Sequence, residues 1–302
     1  MITVVGSSNT DFCVKVDRLP KRGQTVLGSD FFIAAGGKGA NQAAQIAKLG
    51  AKVAFIARVG RDHFGDRSLE NLASLGIDTR YIIRDREHPS GAAVIFIDRK
   101  GGNQIAVAPS SNRFLNISNI KRASGAIKRS KVLLLQLEVP LDAVKKAIEI
   151  ARSSGAKVIL NPAPFKKLDN SLLRKVDILV PNETEAEGLT GVKVKDLTSA
   201  IRAGGILLKR NIRFVIITLG RSGCVLIDKF CTKHIPAPKV KAIDTTAAGD
   251  SFCGALAVAI SEGKDLIEAA RFASCCAAVS VTRLGAQPSL PNRKEAISFF
   301  KI

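Results

Sequence analysis

Residues 132–160, VLLLQLEVPLDAVKKAIEIARSSGAKVIL, decide the fold. Val132 to Leu137 is an apolar run of strand length, closed by Glu138. A helix reads from Pro140 to about Ser153, and Lys157 to Leu160 is a second apolar strand. Strand, helix and strand in that order make a βαβ unit, which lays the two strands parallel in one sheet. The alternation extends both ways, with a helix near 118–128, strands 176–180 and 213–218, and helices 183–189 and 196–209. Strands 223–228 and 232–235 follow, then helices near 249–261, 265–281 and 292–300. The fold class is α/β: a doubly wound, mostly parallel central sheet flanked by helices.

The first third has a different texture. Ile2 to Val5 reads as a strand and Gly6 to Asp11 as a polar turn; Phe12–Val16 and Thr25–Ile33 have strand character. A helix runs from the glycine block at Gly36 to about Leu49, followed by a strand at Lys52–Val59 and a helix at Phe64–Leu75. Tyr81–Ile83, Ala92–Ile97 and Ile105–Ala108 are strand-like runs with no helix between them, and Gly101-Gly102-Asn103 turns the last two. Segments 12–33 and 92–108 therefore read as a small antiparallel sheet projecting from the body. A sheet beside a cleft is a natural lid, and its closure excludes water. With no repeat or long linker, residues 1–302 read as a single domain.

Composition narrows the function classes. At 46% hydrophobic and 24% charged residues the chain is ordinary globular protein. Its longest apolar run is too short to span a bilayer, and its N-terminus reads as a strand rather than a secretion signal. Six cysteines without a CxxC pair point to a reducing cytoplasm and no structural metal, with a Cys224–Cys231 bridge as the alternative. The net charge of +20 comes from scattered lysines and arginines, with one Tyr and no Trp to stack bases. That reads as a solvated basic surface that speeds encounter with an anionic substrate, rather than a nucleic-acid groove. His63, His88 and His234 read as surface residues without partners.

Asp244-Thr245-Thr246-Ala247-Ala248-Gly249-Asp250-Ser251-Phe252 carries the strongest chemistry. Small residues lead into a helix start, where unpaired N–H groups and the dipole attract an anion. Asp250 sits in that anion site; it either caps the helix or takes a proton from a hydroxyl attacking a phosphoryl group. Asn9 and Asp11, after the first strand, either form a turn or bind sugar hydroxyls. Gly36-Gly37-Lys38-Gly39-Ala40-Asn41 lets backbone approach a ligand, but is neither a Walker A loop nor a dinucleotide fingerprint. Glu138, at a strand's carboxyl end, is placed to accept from a sugar hydroxyl. Glu183, Glu185 and Glu187, in the first turns of a helix, suit its dipole; alternatively, Asn182 and Glu185 organise magnesium and its waters near phosphates. Thr218-Leu219-Gly220-Arg221-Ser222-Gly223 is a glycine turn suited to a nucleotide.

In order along the chain, these motifs resemble the ribokinase family of carbohydrate kinases, also called the phosphofructokinase-B type. The match runs from Val5 to about Pro291 and rests on five blocks: 36–41, Asn161-Pro162-Ala163-Pro164, 181–185, 244–250 and Thr282–Ser289. The resemblance implies a kinase that phosphorylates ribose at O5 with ATP, as a homodimer paired through its lids. It implies that Asn9, Asp11, Gly37, Lys38, Gly39, Asn41 and Glu138 bind the sugar and that Asp250 is the base. Ala247, Ala248 and Gly249 would supply amides to the phosphoryl group, while Asn182, Thr218 to Gly223, Gly249 and Ser274 would line the ATP site. Asp244, Thr246, Ser280, Arg283, Gly285 and Ser289 resemble an activating potassium site. Two departures stand out: Ser110-Ser111-Asn112 where the family usually has Gly-Ala-Asn, and Ser274 where a longer polar side chain is common. The alternatives are a kinase for deoxyribose, fructose or a nucleoside, and a basic nucleic-acid-binding protein on the same scaffold.

Overall fold

A computed structural model of the chain describes residues 1–99 and 102–300. The strands are β1 (Ile2–Val5), β2 (Asn9–Val16), β3 (Gly28–Gly36), β4 (Val53–Gly60), β5 (Ile82–Asp85), β6 (Gly91–Ile97) and β7 (Asn103–Ala108). After them come β8 (Val132–Leu135), β9 (Lys157–Leu160), β10 (Ile178–Leu179), β11 (Phe214–Thr218), β12 (Cys224–Ile227) and β13 (Thr232–Ile235). The helices are α1 (Lys38–Lys48), α2 (His63–Ser74), α3 (Ile117–Arg122), α4 (Ser124–Lys128), α5 (Leu141–Ser153) and α6 (Asn170–Leu173). The set closes with α7 (Glu183–Thr190), α8 (Leu197–Leu208), α9 (Ala248–Ser261), α10 (Leu266–Ser280) and α11 (Arg293–Phe300).

Nine strands form the central sheet in the order β13-β12-β11-β10-β9-β8-β1-β4-β5. All its pairs are parallel except β11–β12 and β12–β13. Strand β1 lies between β8 and β4, so the chain leaves it in both directions across the sheet. That switch point is where open α/β sheets bind ligands, beyond the strands' carboxyl ends. The continuous apolar strands follow from burial on both faces. Leu133 and Leu135 of β8 face the cluster covered by α3, α4, α5, α7 and α8; Val132 and Leu134 face the one covered by α1, α2, α9 and α10.

The second sheet runs β3-β2-β6-β7. Its two outer pairs are antiparallel, as expected, but β2 and β6 pair in parallel, from Asn9↔Gly91 to Lys15↔Ile97. Two hairpin-like pieces far apart in sequence thus join side by side. Asn9 and Asp11, expected in a turn, are residues of β2, because cross-strand partners 23 to 27 and 82 positions away extend that strand. The sheet accordingly starts earlier than 12–33 and 92–108 and reaches Gly36. The turn read at 101–103 includes Gly101, which lies outside the described residues. The helix expected over 118–128 is broken at Ala123 into α3 and α4. All six cysteines are free, including Cys224 and Cys231. His88 and His234 do have partners: Asp85 with the Phe114 ring, and the Ser222 carbonyl, respectively. Among the described residues no helix is long and apolar enough to cross a membrane.

Candidate active site

Asp250, 6% exposed, lies in the first turn of α9. It does not cap that helix. Its Oδ2 accepts from Asn41 Nδ2 and its Oδ1 from Gln42 Nε2, both at 3.0 Å. Burial pushes its pKa up and Glu138 adds to this, while the Lys38 ammonium and the two amides oppose it. A carboxylate raised in this way is a stronger proton acceptor. The cap position of α9 is Ala247, at φ 60° in the left-handed region, with no side-chain cap. The helix start therefore keeps open donors. Of the three amides expected to bind an anion, that of Ala248 reaches the Thr245 carbonyl at 3.3 Å. Those of Ala247 and Gly249 have no acceptor among the described residues. A cavity of about 190 Å³ brings Ala247 to Asp250 together with Lys38, Asn161, Asn182, Glu185 and Thr218.

The glycine block presses α1 onto the joint between β1 and β2. A Cβ on Gly37, at φ 89°, would lie 2.7 Å from the Asn9 nitrogen, and one on Gly39 would lie 2.7 Å from Gly6 backbone. Close approach lets the Lys38 N–H donate to Glu138 Oε2 at 3.2 Å, an oxygen that also accepts from the Ser7 hydroxyl. Asn9 and Asp11 leave β2 on one face, two residues apart. Burial first, then Glu138 and Asp250, push the Asp11 pKa to about 7. Burial would lower the Lys38 ammonium, but Asp250, Glu138 and Glu185 outweigh it and hold it above its ordinary value. Asn41 Oδ1 is buried without a partner among the described residues, an acceptor that a ligand hydroxyl would satisfy.

At the start of α7, Asn182 and Glu185 form a capping box, each side chain accepting from the other's backbone N–H at 2.8 and 3.0 Å. The cap uses only Glu185 Oε2. Its Oε1 has no partner among the described residues, and burial raises the group's pKa. The helix-dipole and cation readings are therefore compatible in one side chain. Among the described residues no cluster of three His, Cys, Asp or Glu could hold a metal by itself. A single carboxylate with oxygen neighbours fits magnesium that arrives on phosphates. Thr218 ends β11 at the cavity, and Gly220 to Ser222 form a 3-10 turn. Gly223 sits at φ 90°, where a Cβ would come within 2.1 Å of the Ile235 carbonyl. Leu219 is buried, while Arg221 and Ser222 are exposed. Ser274 does not line the cavity; it is buried on α10, 3.8 Å from Cys224 Sγ.

The residues expected around potassium converge in part. Asp244 Oδ1 accepts from the N–H and hydroxyl of Thr246, and Oδ2 from the Gly285 N–H at 2.8 Å. The Ile243 and Asp244 amides both reach the Val281 carbonyl. Segment 243–246 is thereby tied to 281–285, beside Ser280 and Arg283, while Ser289 bonds Ala286. The available donors are oxygens, which suit an alkali cation.

Two glutamines were missed in the sequence. Gln42 holds Asp250, and Gln136 donates to Gln42 Oε1. The signal for Gln42 was its place directly after Asn41 in the first turn of α1; Gln136 was the one polar residue inside the apolar run 132–137.

A raised, buried carboxylate, open helix-start amides and a sheet beside the cleft define a phosphotransferase acting on a small hydroxyl compound. The family model described as pfkB family carbohydrate kinase matches residues 1–293, and the chain belongs to that family. It is 43% identical to a ribokinase of Haemophilus influenzae, covering 99% of this chain and 98% of that one. With a mouse ribokinase the identity is 44%, over 97% and 93%. A deoxyribokinase of Salmonella typhi is 39% identical, over 96% and 95%. Among solved structures, a ribokinase of Thermotoga maritima superposes with a TM-score of 0.90 at 41% identity, covering 100% and 99%. An Arabidopsis thaliana ribokinase solved with ribose and ATP gives 0.90 at 33%, covering 100% and 98%.

Proposed function

We propose that this chain transfers the γ-phosphoryl group of ATP to O5 of D-ribose, giving D-ribose 5-phosphate. One observation carries the reading: Asp250, fixed by Asn41 and Gln42, lies at the same helix start as the open amides of Ala247 and Gly249. In this reading Asp250 takes the O5 proton, and the 247–249 amides meet the charge that develops on the phosphoryl group. Asn9, Asp11, Gly37 to Asn41 and Glu138 hold the sugar. Asn182 and Thr218 to Gly223 hold ATP, whereas Ser274, buried against Cys224 and away from the cavity, drops out of that set; Glu185 would hold magnesium through water, and magnesium would supply positive charge to the phosphates. Potassium, at Asp244, Thr246, Ser280, Arg283, Gly285 and Ser289, keeps the anion loop in shape. The whole chain works as one domain, as a homodimer through the lid, in the cytoplasm, where its free thiols stay reduced.

A panel of ribose, 2-deoxyribose and fructose with ATP, with and without potassium, tests the substrate; ribose gives the highest kcat/KM. Deoxyribose is the second reading, favoured by the 39% identical deoxyribokinase. Asp250→Asn lowers kcat by about 10²–10⁴-fold, while ATP affinity stays within about twofold. Turnover near wild type in that variant removes Asp250 from the role of base.

A further inference from the structure

Asn112, outside the cavity, governs one of the sugar contacts. It sits just beyond β7, 1% exposed, and makes three hydrogen bonds. Its Oδ1 accepts from the Ser8 N–H at 3.0 Å and its Nδ2 donates to the Ser8 carbonyl at 3.1 Å. Backbone groups have only one polarity, so this pair fixes which end of the Asn112 amide is which. The same Nδ2 donates to Asn9 Oδ1 at 2.8 Å. Asn9 must then keep its oxygen inward, leaving Nδ2 as a donor with no acceptor among the described residues. Gly91 closes the junction: a Cβ there would lie 2.2 Å from Asn112 Nδ2 and 2.3 Å from Asn9 Oδ1.

We infer that Asn112 is a positioning residue that sets the polarity of the sugar site, relaying the direction of the Ser8 peptide to Asn9. The site then presents a donor from Asn9 beside the Asp11 carboxyl, on one face of β2. That pairing recognises sugar hydroxyls, since each can accept from the amide and donate to the carboxylate. A sugar that lacks a contacted hydroxyl leaves a buried polar group unpaired, which is the strong form of discrimination. Asn112 thus contributes to selection between ribose and 2-deoxyribose without touching either. The departure at Ser110-Ser111 is compatible with this role. Ser110 accepts a φ of 46°, and Ser111 anchors the turn through its hydroxyl to the Arg58 carbonyl at 3.1 Å.

The inference rests on the ribose reading above, and the experiment separates the two. Wild type, Asn112→Ala, Asn112→Asp and Gly91→Ala are assayed with ribose and with 2-deoxyribose, varying sugar and ATP in turn. Removing the relay raises the ribose KM at least about tenfold and shrinks the ribose preference over deoxyribose about as much. The KM for ATP and kcat stay within about twofold. Asn112→Asp is the more severe of the two position-112 changes, because a carboxylate forces Asn9 to turn its amide donor inward. Gly91→Ala disturbs the same bond from the opposite side, and Asn112→Ser, the mildest polar change, replaces any variant that does not fold. Folded variants with wild-type sugar preference, or with ATP and sugar parameters falling together, overturn the inference. A wild type that phosphorylates neither pentose overturns the ribose reading instead.

Discussion

A carboxyl group buried beside two other acids, as Asp11 is, binds its proton more tightly than in the unfolded chain. Its pKa rises from 3.8 to about 7, so between those values folding takes up a proton. Stability from this group is therefore fully present below the unfolded value and lost as pH rises toward 7. That rise corresponds to about 4 kcal/mol. In the proposed reading sugar binding has the opposite sign, because only the ionised Asp11 carboxyl offers both oxygens as acceptors to sugar hydroxyls. The ribose KM accordingly climbs as pH falls below about 7. Asp11→Asn removes both effects. It raises Tm at pH 8 more than at pH 5, by roughly 2–4 °C per kcal/mol gained, and raises the ribose KM at least about tenfold at every pH. Asp250 and Glu185 are shifted in the same direction, so the difference between variant and wild type isolates Asp11. Equal gains at both pH values in melting experiments would show that the Asp11 pKa is not raised in the folded protein.

At the scale of elements, two glycines in helices have opposite requirements. In α1, Gly39 lies against the β1–β2 joint, where a Cβ would press on backbone 2.7 Å away. Gly39→Ala must push α1 off the joint, costing about 1–3 kcal/mol, and it moves Lys38 and Asn41 with it. In α8, Gly205 has nothing within 4 Å of its Cβ position, so Gly205→Ala gains about 0.5–1 kcal/mol from helix propensity. Melting curves and sugar KM check the pair: Gly39→Ala is less stable with a weaker sugar KM, Gly205→Ala more stable with catalysis unchanged. The contrast also separates what the chain shows locally from what it does not. The βαβ body was legible because strands buried on both faces are apolar throughout, as in Val132–Leu135. Asp250, Glu138 and Asn182 were legible because each follows a strand or starts a helix at the sheet's carboxyl edge. Pairing across 82 residues, as between Asn9 and Gly91, leaves no local trace, so β2 began three residues earlier than its apolar pattern. Asn112 was illegible as a site residue for the same reason: its role is a hydrogen bond to a position 103 residues away.

In the proposed homodimer, the small sheet is where one copy meets the other. Side chains paired across a sheet share a face, so Ile33, Phe12 and Val94 form one row and Phe31, Val14 and Phe96 the next. On that face Phe31 is 57% exposed, Val94 42% and Ile33 40%. The opposite face carries Asp11, Cys13, Ala93 and Ile95, all buried, with Ile105 and Val107 of the edge strand β7 exposed beside them. The small sheet thus turns Asp11, proposed to bind the sugar, one way and the uncovered Phe31, Val94 and Ile33 the other, more than single scattered hydrophobes account for. A twofold dimer brings that surface against its own copy and removes it from water. Sedimentation should therefore give a particle of twice the 32.1 kDa chain mass. Phe31→Glu with Val94→Glu places unpaired carboxylates in the contact, which is costly enough to leave monomers at micromolar concentration. Both positions point away from Asp11, so a monomer with an intact site keeps ATP affinity. Its unsupported lid closes less often, and a binding-competent state populated less often raises the apparent KM for ribose in proportion. Dilution of the wild type gives the same change without mutation, so the sugar KM rises as the dimer dissociates. A wild type that sediments as a monomer, with a sugar KM independent of enzyme concentration, would leave this apolar face without a role in lid closure.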